Sequence, residues 1–291
     1  KTKEGLVRGC ACRGTAGFAH VSCLAEQAKI LYNEAEENNL GVETKNERWA
    51  RWYACGLCKQ QYHGVVWCAL GWACWKTYVG RPEADWARGS AMNLLGNGLA
   101  YAEQFKDAVL VYEADLAMLR RLGGSADSIL GVQSNLANTY RALGRDEQAL
   151  ELKRDVYSGR LQLNGVEHEN TLIAANNYAA MLKDLKHFEE AKFLLRKIIP
   201  VARRVVGDND EATLRMKWNY AMALCNDTGA TLDDLREAVT TLEDAGRIGR
   251  RVLGGAHPLA VDIVRDLQYA RAALGARDVE PLRDAVGAMG V

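Results

Sequence analysis

The chain has 291 residues, with 37 Lys plus Arg against 37 Asp plus Glu. Such a balance excludes an electrostatic claim on nucleic acid or on an anionic membrane surface. The longest apolar run, residues 65–75, is broken by Gly71 and falls far short of the roughly 20 residues a membrane span needs.

No charged, apolar and small-residue succession of a secretory signal is visible, and the first residue is Lys1. The chain therefore reads as N-terminally incomplete, with room for a lost targeting segment. Seven of the eight cysteines lie between residues 10 and 74, and six of the seven tryptophans between residues 49 and 86. The N-terminal part thus differs in kind from the rest, and a boundary is expected near residues 64–88. Clustered cysteines in a chain without a signal favour metal in a reducing compartment. The expected location is intracellular, soluble and cytoplasmic.

Residues 10–23 read CACRGTAGFAHVSC, and residues 55–58 read CGLC. Three short chelating pairs result: Cys10 with Cys12, His20 with Cys23, and Cys55 with Cys58. Thiolate and imidazole are soft ligands, and zinc is the default occupant. Six ligands are too many for one tetrahedral zinc and two short of two. Reduced, buried cysteines without metal, and a zinc site with a purely structural role, both stay open. His63 is a weaker candidate ligand; Cys68 and Cys74, in the apolar stretch VVWCALGWACW, read as core, with Trp67, Trp72 and Trp75 joining the N-terminal module to the C-terminal part of the chain.

The order C-x-C, seven residues, H-x-x-C, then C-x-x-C resembles the RING-CH variant of the RING finger, with Gly14, Phe18 and Leu24 as matching context. In that family a further C-x-x-C comes first, and the ligand pairs interleave. The resemblance implies that Cys10, Cys12, Cys55 and Cys58 form one four-thiolate Zn(2+) site. His20 and Cys23 would be half of a second, its partners lying upstream of Lys1. Lys59 sits where RING ligases carry a basic residue that contacts ubiquitin. The chain departs from the family in lacking the first pair and in the long loop between Cys23 and Cys55, with an acidic, Asn-rich stretch at residues 33–39.

Beyond residue 88 the chain repeats itself. Asn135, Asn177 and Asn219 open NLANTY, NYAAML and NYAMAL, at offsets 177−135 and 219−177, both 42. Ala149 and Ala191 keep that offset; LGNGLAYAEQFKDA from Leu95 aligns with LANTYRALGRDEQA from Leu136, and LQYARAALGA from Leu267 reads as a fifth copy. Apolar residues at three- and four-residue spacing predict two amphipathic helices per copy. Gly144 and the pair Lys186-His187 mark the turns, and residues 228–234 carry an insertion of about five residues. A helix pair cannot bury its apolar face alone, so the copies must stack.

The pattern N-L-A-x-x-Y-x-x-L-G-x-x-x-x-A resembles the tetratricopeptide repeat. The 42-residue period and the connector RRVLGGAHP at residues 250–258 resemble its kinesin-light-chain subtype. The resemblance implies a peptide-binding groove lined by Asn135, Asn138, Arg141, Asn176, Asn177, Lys183, Arg215 and Asn219. The competing reading is that these asparagines bridge neighbouring helices. Residues 1–64 are thus expected as the finger, 65–88 as a Trp-rich linker helix, 89–275 as repeats, and 276–291 as a cap or frayed tail. The expected fold class is mainly α: a small RING-like finger followed by an α-solenoid of about five helix pairs.

No G-x-x-x-x-G-K, G-x-S-x-G or H-E-x-x-H is present, and Cys225 reads as a core thiol. Any activity must therefore work without a nucleophile of the chain's own. The RING resemblance implies a ubiquitin-protein ligase that holds a ubiquitin-conjugating enzyme while the repeats choose a protein substrate. The alternative is a non-enzymatic scaffold with a structural zinc finger.

Overall fold

The computed structural model describes residues 4–12 and 17–288, with side chains up to residue 278; Gly14 lies outside the described residues. The fold is mainly helical and divides into two compact units, Lys1–Leu152 and Lys153–Val291, with the division inside one helix, α7 (Asp146–Asn164). Among the described residues no helix is long and apolar enough to cross a membrane.

The first unit opens with a two-stranded antiparallel ribbon, β1 (Val7–Arg8) against β2 (Phe18–Ala19). The segment expected as a long loop is then largely helical: α1 (Val21–Glu37) and α2 (Val42–Trp49), followed by a 3-10 turn at Ala50–Trp52. The reason is a narrow apolar stripe. Ala28, Tyr32 and Ala35 follow at four and three residues and are the buried residues of α1. Its acidic residues stay outside, and Asn39 ends the run in a left-handed conformation at φ 50°.

That stripe closes an aromatic core. Tyr32 meets Trp49 edge-on at 4.9 Å and Tyr78 at 5.9 Å, and Trp49 meets Trp86 at 5.0 Å. Trp52 and Tyr78 are fully buried beside them. The tryptophans that join the N-terminal segments to the helices are therefore Trp49, Trp52 and Trp86, together with Trp75, which packs against the same core, and Trp67, whose ring lies 4.8 Å from Tyr101. Trp72, expected to share this work, is 42% exposed. Arg81 adds a polar tie. It forks onto Glu36 at 2.9 and 2.6 Å, and holds the Glu36 carboxyl below its ordinary range.

Helices α3 (Gly64–Tyr78) and α4 (Trp86–Tyr101) pack almost backbone to backbone. A Cβ on Gly71 would sit 3.0 Å from the Leu94 carbonyl oxygen, and one on Gly98 would sit 3.0 Å from the Cys68 Cα. Next come α5 (Phe105–Leu122) and α6 (Ala126–Ala142). Asp115 of α5 is only 2% exposed, and burial raises its carboxyl from 3.8 to about 6.

In the second unit, α8 (Glu169–Asp184), α9 (Phe188–Val205), α10 (Glu211–Asn226), α11 (Leu232–Val252) and α12 (Pro258–Ala288) surround one core that includes Leu195, Ile198, Leu214, Leu242 and Ile263. Cys225 belongs to that core, as expected, and its thiol is pushed up to about 11, chiefly by burial. Buried Lys192 reaches Asp227 at 2.8 Å, and buried Lys217 reaches Asp208 and Asp244, each at 2.8 Å.

Backbone geometry follows the sequence period. The connectors between copies each carry a left-handed glycine: Gly123, Gly165, Gly207 and Gly254. Their spacings are 165−123 = 42, 207−165 = 42 and 254−207 = 47. The last exceeds the others by the five inserted residues. Turns within copies place Glu103, Gly144 and Lys186 at positive φ.

Two stability measurements check this picture. Gly98→Ala overpacks the α3–α4 contact and should destabilise by about 1–3 kcal/mol. Gly131→Ala, inside α6 with open space around a new Cβ, should stabilise by about 0.5–1 kcal/mol. Denaturant melts read both. For Asp115, the folded chain holds the proton up to about pH 6 whereas the ordinary value is 3.8. Stability therefore falls as pH rises through that window. Asp115→Asn should gain on the order of 2 kcal/mol at neutral pH and almost nothing below pH ~4, read by melts at both pH values.

Candidate functional site

Four cysteines converge in the first unit. Cys10 and Cys12 follow β1, while Cys55 and Cys58 sit on a tight knuckle. Their sulfur atoms all lie within 4.8 Å of one another. Cys12 Sγ and Cys55 Sγ are 3.7 Å apart. A tetrahedral metal with bonds of about 2.3 Å spaces its sulfurs by about 3.8 Å, whereas a disulfide needs about 2.05 Å. The donor set and its spacing fit a metal ion.

Local backbone builds the site. The Lys59 N–H donates to the Cys55 carbonyl at 3.0 Å, and the Cys55 N–H to the Gln60 carbonyl at 2.9 Å, folding CGLC into a loop. The His63 N–H donates to the Gly9 carbonyl at 2.9 Å, which brings the two cysteine segments together. Val66 of α3 fills the space beside Gly9, where a Cβ would come within 2.6 Å of the Val66 Cβ. Val66, Leu70 and Tyr62 form the apolar floor.

The four thiols shift one another's titration. At Cys55 burial pushes the thiol up, but the N–H groups of Cys58 and Leu57 and the thiols of Cys10 and Cys12 bring it down to about 7. Cys12 goes the other way, to about 12, through the Cys10 thiol first and then burial. Thiolates this close repel one another, and a divalent metal would relieve that repulsion.

His20 and Cys23 stand apart from this cluster. His20 precedes α1, and its Nδ1 lies 3.8 Å from Cys23 Sγ on an exposed surface. His63 is likewise not among the four. Lys59, directly after the knuckle, is exposed and holds a left-handed backbone at φ 61°.

The predicted groove residues occupy the first helix of each pair. In the first unit Asn135 Nδ2 donates to Asn97 Oδ1 at 3.1 Å, and the Tyr112 hydroxyl donates to the same oxygen at 2.7 Å. Asn138 and Arg141 are exposed on α6. In the second unit Asn219 Nδ2 donates to Asn176 Oδ1 at 3.1 Å, while Lys183 Nζ donates to Asn219 Oδ1 at 3.2 Å. Lys183 also lies over the Trp218 ring at 5.5 Å, and Trp218 Nε1 donates to Asp266 Oδ2 at 2.8 Å. Arg215 is held by Glu211 at 2.6 Å, and Asn177 is half-buried on α8.

The helix-bridging role thus describes the geometry of Asn135, Asn176 and Asn219. Sequence reading missed Asn97, Trp218 and Asp266. A signal for Asp266 exists: 219 plus the 47-residue spacing of the longer copy is 266. In the second unit the residue just before the ladder position bonds to the ladder residue of the next copy, Asn176 to Asn219 and Trp218 to Asp266; Asn97, the partner of Asn135, does not hold that position.

Helix pairs with this period and these bridges have a tetratricopeptide-like architecture. Residues 128–204 match the family model of the tetratricopeptide repeat. Among solved structures, the chain is similar to a Podosopora anserina putative kinesin light chain with nearly identical TPR-like repeats, at 19% identity and a TM-score of 0.53, covering 80% of this chain and 97% of that one. A second structure of that description has 19% identity, the same coverage and a TM-score of 0.52. No curated protein matches the chain. Likeness at this level establishes the fold. Arrays of this type serve as scaffolds for protein–protein contact.

Native mass spectrometry of the full chain in reducing buffer should find one divalent metal per chain. Cys10→Ser or Cys58→Ser should lose it and Cys23→Ser should keep it. Because the ligands must be deprotonated, the metal should leave as pH falls.

Proposed function

We propose that this protein is a zinc-binding ubiquitin-protein ligase, or a ligase-like adaptor, whose repeats select a protein substrate. The observation that carries the reading is the membership of the thiolate cluster. It joins Cys10 and Cys12 to Cys55 and Cys58 and skips His20 and Cys23, which lie between them in sequence. That is the interleaved order of a RING-type finger. Zinc suits an all-sulfur tetrahedral site and is the metal assigned.

In this reading the zinc is structural. No side chain of this protein acts as the nucleophile, and catalysis is positioning: a conjugating enzyme charged with ubiquitin is held so that a substrate lysine attacks its thioester. Lys59 contacts ubiquitin or the conjugating enzyme. The repeats hold the substrate through exposed first-helix residues such as Asn138, Arg141 and Arg215, while Asn135, Asn176 and Asn219 brace the helices that present them.

A second reading, a non-enzymatic scaffold with a metal-stapled N-terminal module, is favoured by one observation. Among the described residues, no further ligand joins the exposed His20–Cys23 pair.

Ubiquitin chain formation across a panel of conjugating enzymes separates the two. The ligase reading expects chains that Cys58→Ser abolishes. Lys59→Gly is the sharper variant, because glycine relieves a left-handed position by about 1 kcal/mol and leaves the knuckle sound. It should cut chain formation several-fold while zinc content stays unchanged. Absence of chains with every enzyme, alongside intact zinc binding, leaves the scaffold.

A further inference from the structure

Within the second unit, α8 and α9 frame an open cavity of about 470 Å³, lined by Tyr178, Leu182, Glu189, Glu190, Phe193 and Leu194. Tyr178 stands two residues after Asn176, and so on the opposite side of α8 from the helix-bridging amides. The walls are aromatic and the rim is acidic. Phe193 is 74% exposed, a large ring left in water. Burial first, and then the Glu190 carboxylate, raise the Tyr178 hydroxyl above its ordinary range, with Arg154 opposing them.

The next copy shows what such a site holds. Tyr220 and Glu237 are the counterparts of Tyr178 and Glu190, at offsets 220−178 = 42 and 237−190 = 47. A guanidinium lies on them. Arg196 Nε donates to the Tyr220 hydroxyl at 2.6 Å, its central carbon is 5.5 Å from the ring centre, and its Nη2 is 3.6 Å from Glu237 Oε2. The Tyr220 hydroxyl donates in turn to Glu237 at 2.7 Å. Ring face, hydroxyl and carboxylate together suit a planar, delocalised cation.

The third copy keeps this pair and adds to it. Phe193 stands where the fourth copy has Thr240, and Glu189 where it has Arg236, both at offset 47. A second ring and a second carboxylate therefore face the cavity, in place of a hydroxyl and a cation. The arginine at the offset of Arg196 is Arg154 (196−154 = 42), which pairs with Asp155 at 3.8 Å; the fourth-copy site has Lys197 in place of that acid. Two basic groups touch the rim: Lys192, shared between Glu189 and Asp227, and His187, 3.2 Å from Glu190. An incoming cation would share Glu190 with His187.

We propose that this cavity seats an arginine side chain of a partner protein, its guanidinium stacked on Tyr178 and Phe193 and paired with Glu190. The site is independent of zinc and of the ligase reading, since none of its residues belongs to the thiolate cluster or to the first-helix surface assigned to substrate.

The probe is a blocked Gly-Arg-Gly tripeptide titrated into the full chain and followed by saturation-transfer nuclear magnetic resonance. A single residue should bind with a dissociation constant on the order of 1 mM. The isosteric, uncharged citrulline tripeptide should bind about tenfold more weakly or not at all. Phe193→Ala and Glu190→Gln, both at exposed side chains, should each weaken the arginine tripeptide several-fold with unchanged circular dichroism. Arg154→Ala, which removes the internal guanidinium, should bind it at least as tightly. Leu110→Ala, at an exposed residue of α5, should leave binding unchanged. No binding up to about 10 mM overturns the proposal. So does equal binding of the citrulline tripeptide, or binding that survives both Phe193→Ala and Glu190→Gln.

Discussion

The first unit depends on one close contact, the approach of α3 to α4 at Gly71 and Gly98. Neither position has room for a Cβ without a shift: the neighbours at 3.0 Å are backbone atoms, Leu94 O and Cys68 Cα, which cannot swing aside as a flexible side chain can. The contact fixes α3 tightly enough that its opposite side can serve as a floor. Val66 then fills the space beside Gly9, and the segment carrying Cys10 and Cys12 is set against the knuckle of Cys55 and Cys58. Thiolate geometry and helical packing are thus two faces of one helix.

The repeats solve a different problem, how to hold first helices in register without closing the surface they present. The solution is a chain of short polar side chains. An amide donates and accepts at once, so Asn219 can give a hydrogen bond to Asn176 and take one from Lys183. In the fifth copy a carboxylate, Asp266, replaces the amide and can only accept, and its partner accordingly becomes a pure donor, the Trp218 indole N–H. The substitution keeps the bridge by changing both ends.

Most of the helical array was legible because period and turn chemistry agree. A 42-residue offset in asparagines is matched by left-handed glycines at the same offset, and the five-residue insertion appears in both. Spacing alone left six candidate ligands, and the four-thiolate set was legible only through the resemblance to the RING-CH order. What was not legible depends on contacts far apart in sequence. The stretch around residues 33–39 looks like a loop in composition, yet Tyr32 and Ala35 have an aromatic core to face, and residues 34–37 stay helical. Trp72 is indistinguishable by type from Trp67 and Trp75, and only its angular position on α3 leaves it outside. The asparagines carry no mark of whether their amides point to a ligand or to the next helix; that depends on which side chain the neighbouring copy presents.

Charge links a metal at this site to the fold. Four sulfur atoms within 4.8 Å cannot all be anionic by themselves, and the opposed values at Cys55, about 7, and Cys12, about 12, express that conflict. A divalent cation removes it by giving every thiolate the same partner. Because the unfolded chain keeps Cys10 and Cys55 far apart, metal affinity is gained only when the knuckle, the Gly9–His63 bond and the α3 floor are all in place. Binding free energy at this site is therefore folding free energy for the first unit. The same coupling reaches α4 through Gly71 and Gly98, and from α4 the Asn97 bridge to α6. A metal bound by the four cysteines would thus stabilise the first-helix surface of the first unit's repeats without touching it.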